Sequence, residues 1–72
     1  MLTVEDIISY TQRTIAQDRL TGNRAGLRNT QYACGFLMVA AESAGDKDTA
    51  RRFRILAAEA ANKNEELAGD NR

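Results

Sequence analysis

The sequence predicts an all-α fold: a long antiparallel helical hairpin over about 27–44 and 47–68, with an N-terminal helix over about 3–20 packed across it. Three observations carry this. The chain of 72 residues contains no proline, alanine is abundant, and apolar residues recur at steps of three and four, the period of a helix and not of a strand. The first helix opens at Thr3, an N-cap residue with Asp6 three positions on, a capping-box pattern. Val4, Ile8, Thr11 and Ile15 then line one face, with Ile7 beside them. The stretch "TGNRAG", residues 21–26, holds two glycines and an asparagine and reads as a loop. The second helix follows to Ala44, where Gly45 is placed to terminate it and Asp46 or Asp48 to cap the next. The third helix runs to Ala68, with "GDNR" fraying beyond it.

In the third helix Ala50, Phe53, Ala57, Ala60, Asn64 and Leu67 alternate steps of three and four, the spacing of a packing seam, and Leu56 widens it. The second helix offers Thr30, Ala33, Cys34, Leu37, Ala41 and Ala44 on one face. Two seams rich in small residues can approach closely as a hairpin. The turn "AGDKDTA" resembles that of a tetratricopeptide hairpin, with Gly45, Asp46, Ala50 and Ala57 in corresponding places. The likeness covers about twenty residues, without the family's aromatic positions or a second copy, and implies shared turn physics and no repeat array. The five residues "CGFLM" are similar to part of the long helix of small phage proteins that sequester cyclic-nucleotide signals. None of the ligand-contacting pattern of those proteins accompanies them.

Length and composition bound the function. Residues 1–72 form a single small helical domain, whose modest core invites help from other chains. Cys34 is the one cysteine and histidine is absent, which excludes an intramolecular disulfide and leaves little with which to build a zinc site. A lone cysteine among apolar residues reads as a small buried hydrophobe, and a reducing, cytoplasmic setting fits it. No apolar run approaches the roughly 20 residues of a membrane span, and the acidic "MLTVEDIISY" has no basic leader, so no membrane partner is expected. Ten basic residues balance ten acidic ones. Residues 13–54 nevertheless hold eight cations against four carboxylates, and both ends are acidic to match.

Catalysis finds no support: without histidine the commonest general base is missing, and no nucleophile has an activating partner. The carboxylate pairs Glu5/Asp6, Asp46/Asp48 and Glu65/Glu66 lie near helix ends or on exposed faces, where caps and dipole partners are expected. No phosphate-binding glycine loop or calcium loop is present, and no cofactor is expected. Two binding classes remain. Tyr32, Phe36 and Val39 lie on the side of the second helix away from Leu37, so that helix is apolar nearly all round, and Ile55 points away from Phe53. This predicts a further buried face, filled by a homodimer or higher oligomer, or by another protein. The protein is then a non-enzymatic interaction module, a regulator, inhibitor or adaptor of the size of a phage or mobile-element accessory protein.

The other class starts from "ARRFRIL", residues 50–56. Arginine's planar fork suits phosphate, so Arg51, Arg52 and Arg54, with Arg24 and Arg28 at the start of the second helix, are candidate contacts for a nucleotide or nucleic acid. Local charge partners, Asp48 for Arg51 or Arg52 and Glu59 for Arg54, offer the alternative of a solvated helix flank. The two arginine clusters are separated by most of an 18-residue helix, roughly 27 Å at 1.5 Å per residue. Joining them in one site requires an antiparallel neighbour.

Overall fold

A computed structural model describes residues 1–70 as three helices: α1 (Val4–Thr21), α2 (Arg24–Ser43) and α3 (Lys47–Asp70). Each begins and ends on local chemistry. The Thr3 hydroxyl accepts the Asp6 N–H at 3.1 Å and the Asp6 carboxylate accepts the Thr3 N–H at 3.1 Å, a complete capping box. Helix α1 ends at Gly22, whose φ of 71° is left-handed, so that the Asn23 N–H folds back onto the Asp18 carbonyl at 2.8 Å. The expected six-residue loop contracts to Gly22 and Asn23, because Asn23 is itself an N-cap and its side-chain oxygen accepts the Gly26 N–H at 2.9 Å. Gly26 permits this closure. A Cβ there would lie 2.7 Å from the Asn23 Nδ2 and would overlap the Asp18 carboxylate.

The second turn is a Schellman closure. Gly45 has φ 79°, its N–H reaches the Glu42 carbonyl at 3.0 Å, and the Asp46 N–H reaches Ala41 at 2.9 Å. Asp46, rather than Asp48, then caps α3 by accepting the Thr49 N–H at 3.1 Å and the Thr49 hydroxyl at 2.7 Å. At the far end α3 continues through Gly69 and Asp70, beyond the predicted limit at Ala68, while the rest of the expected frayed tail, 71–72, lies outside the described residues.

The core is one cluster of Ile8, Ile15, Leu27, Cys34, Phe53, Leu56 and Ala60. Thr11 is buried among them with its hydroxyl satisfied by the Ile7 carbonyl at 2.7 Å. Three expected core positions are instead exposed: Val4, Ala33 and Ala44. The reason at Ala33 is that α2 packs against both other helices. Its buried arc is therefore centred on Cys34, and runs through Leu27, Gln31 and Met38. Ala33 falls about 100° from its centre. Val4 and Ala44 sit at helix ends.

Two ion pairs fix the direction of α1. The Arg52 guanidinium donates to both oxygens of Glu5, at 2.5 and 2.9 Å, and Arg19 Nε lies 3.3 Å from Glu66. Both pairs join residues 47 apart in sequence. The same separation at two points some fourteen residues apart, roughly 21 Å of helix, requires α1 and α3 to run parallel and in register. Helix α2 runs antiparallel to both, and Arg24 Nε at its start accordingly donates to Asn64 near the end of α3 at 2.7 Å. The bundle measures 43 × 22 × 15 Å, with a radius of gyration of 12.6 Å; a compact chain of this length has about 11 Å.

Candidate interaction face on the second helix

In an up-down-up bundle every helix keeps one outward face, and the three outward faces here differ in kind. That of α3 is studded with charge, and that of α1 is mostly uncharged polar, with Arg13 its one charge between residues 7 and 17 and Tyr10 exposed beside it. Along α2, residues 29–41 contain no charged residue at all. Tyr32, Phe36 and Val39, at i, i+4 and i+7, stand on its outward face with 66, 74 and 58% of their surface exposed. Helix α1 does not cover them, since it lies in the groove where α2 and α3 meet. The structure thus brings three of the four predicted interface residues into one stripe and leaves the fourth apart: Ile55 is exposed on α3, one turn from Arg51 and Glu59. A single apolar side chain in a charged field is ordinary protein surface.

The arginines do not converge. Arg24 is engaged with Asn64 and Arg52 with Glu5, while Arg51 lies 3.9 Å from Asp48. Arg28 and Arg54 are exposed, and among the described residues neither forms an ion pair; the expected pairing of Arg54 with Glu59 does not occur. Arg24 and Arg28 lie at one end of the hairpin, with Arg51, Arg52 and Arg54 at the other. The Arg52 clamp holds the Glu5 carboxyl below the usual carboxylate range, through its hydrogen bonds first and its charge second. Beside the second turn an open cleft of about 330 Å³ is lined by Lys47, Arg51 and Arg54, with Glu42 and Met38 among its other walls.

Burial pushes the Cys34 thiol up, which keeps it protonated and unreactive. Among the described residues no group of three or more His, Cys, Asp or Glu could hold a metal ion, and no helix is long and apolar enough to cross a membrane. No protein-family model, curated protein or solved structure matches the chain.

Sequence reasoning missed one core residue and two long-range contacts. Leu27 is completely buried and was legible as the first large apolar residue after the asparagine cap, seven positions before Cys34. The Glu5–Arg52 and Arg24–Asn64 contacts join distant parts of the chain, and only the shared separation of 47 for Glu5–Arg52 and Arg19–Glu66 hinted at the first.

Proposed function

We propose that the chain is a non-enzymatic protein-interaction module that docks through the outward face of α2. The observation that carries this reading is the uncharged stretch 29–41 presenting Tyr32, Phe36 and Val39 to solvent on a helix whose opposite side already forms the core. An isolated exposed apolar residue needs no explanation, but an aromatic-rich stripe along two turns of a rigid helix has the composition of an interface centre. Tyrosine is a characteristic hot-spot residue, and an ordered helix offers it at little entropic cost. A role as regulator, inhibitor or adaptor would follow from docking of this face on a larger protein.

The test is site-specific photocrosslinking in cells, with a photoreactive phenylalanine analogue placed at Phe36, at Val39 and, as a control on the charged face, at Glu59. Protein adducts from positions 36 and 39 and none from 59 are expected. Absence of adducts from 36 and 39 would sink the reading.

The cleft at the second turn supports a second reading, a binder of phosphate-bearing ligands such as a nucleotide. Lys47, Arg51 and Arg54 place three cations around it. Glu42 in the same wall and the engagement of Arg24 and Arg52 elsewhere weigh against it, and this reading ranks second.

A further inference from the structure

We infer that the occupant of the α2 face is a second copy of this chain, paired α2 to α2 antiparallel about a twofold axis at Gly35. The inference rests on the docking reading above and deepens it by naming the partner. Arg28, Tyr32, Gly35, Val39 and Glu42 follow steps of four, three, four and three, the seam spacing of two packed helices, and Phe36 flanks this seam. The seam is centred on Gly35, with Arg28 seven residues before it and Glu42 seven after. A twofold axis there lays Arg28 of each copy beside Glu42 of the other, so one cation and one carboxylate become two intermolecular ion pairs. Within the chain neither has an ion-pair partner among the described residues. Tyr32 meets Val39 across the same axis, leaving no charge opposite an apolar group.

Gly35 supplies an independent argument. A glycine in a helix interior lowers helix stability, and the usual local reasons for one are missing here: its φ is not positive, and a Cβ added to it meets nothing within 4 Å. At the centre of a helix pair the missing side chain lets two backbones approach and makes room for the partner's Phe36.

The experiment is sedimentation equilibrium and native mass spectrometry on the purified full chain over a range of concentrations, with helical content followed by circular dichroism. The wild type is expected to be a dimer, at twice the monomer mass of 7.9 kDa. Gly35→Gln, whose Cβ meets nothing within 4 Å inside the monomer, should give a monomer of undiminished helicity; Phe36→Asp should do the same, and Gly35→Gln decides alone if that variant fails to fold. Arg28→Glu and Glu42→Arg should each weaken the dimer about tenfold, the effect of two ion pairs turned repulsive, and the double exchange should restore it. A wild type that stays monomeric at every concentration overturns the inference, and crosslinks from Phe36 to a different protein would then leave the docking reading standing. A dimer that Gly35→Gln leaves intact, or that the double exchange does not restore, overturns the pairing.

Discussion

The two phenylalanines form a matched pair with opposite expected outcomes. Phe53 is 3% exposed at the centre of the core and Phe36 is 74% exposed on the outward face of α2. Phe53→Ala removes a ring that has left water almost entirely and opens a cavity the rigid helices cannot close, which costs about 3–5 kcal/mol. A domain of this length has about 4–11 kcal/mol of stability in all. The variant therefore falls to the edge of folding, with a melting temperature lowered by roughly 15 °C or more. Phe36→Ala removes a ring still mostly hydrated and should change monomer stability by less than about 1 kcal/mol. Urea denaturation followed by circular dichroism measures both, at a protein concentration low enough that association does not contribute. Equal losses from the two substitutions, or a loss below about 1 kcal/mol for Phe53→Ala, would refute the assignment of inner and outer faces on which the functional reading depends.

Three further outcomes follow from local geometry. Gly45→Ala places a side chain at φ 79° and should destabilise the hairpin by roughly 1–2 kcal/mol, the cost of a left-handed L-residue, seen as a lower urea midpoint at unchanged slope. The Glu5 carboxyl is depressed in the folded chain by Arg52, so its contribution is fully present above the ordinary carboxylate range and is lost as the pH falls through its lowered folded value. Glu5→Gln should flatten the acid limb of a melting-temperature profile, the two curves converging at low pH; parallel curves would show that the clamp contributes nothing. Cys34 is 1% exposed and its thiol is raised by burial, so alkylation at neutral pH should proceed only through unfolding and accelerate in the Phe53→Ala variant. Rapid labelling of the native chain would contradict the burial.

The fold was legible because its signals are local. Thr3 and Asp6, Gly45 and Asp46, and the step pattern around Phe53 each announce an element within a few residues. The first turn is shorter than the glycine and asparagine content suggests because Asn23 both closes the turn and caps α2, its side-chain oxygen accepting the Gly26 N–H. The excess of apolar residues on α2 was equally visible, but which side stays open depends on where α1 lies. That placement is set by Glu5 with Arg52 and Arg19 with Glu66, pairs that become readable only once parallel helices are assumed. Ile55 shows the limit of the wheel: facing away from the core makes a residue exposed, and only its neighbours decide whether it belongs to an interface.

The same geometry changes how the anion-binding reading must be tested. Reversing the charge of all three arginines in "ARRFRIL" would set a glutamate at position 52 against Glu5 and push α1 away from α3, so lost binding would report a broken bundle as readily as a lost site. The side chains free to serve a ligand are those around the cleft, Lys47, Arg51 and Arg54. Among the described residues Arg51 alone of the three has an ion-pair partner, and a 3.9 Å contact between exposed groups holds it weakly. The informative variant is Lys47→Glu with Arg51→Glu and Arg54→Glu, leaving Arg52 and its clamp intact. Its helicity should match the wild type. Titration calorimetry with inorganic phosphate and a nucleoside triphosphate should show, for wild type and variant alike, no saturable heat, as the docking reading requires. Saturable binding by the wild type that this variant abolishes would reverse the ranking of the two readings, because a folded chain would then have lost a ligand and nothing else.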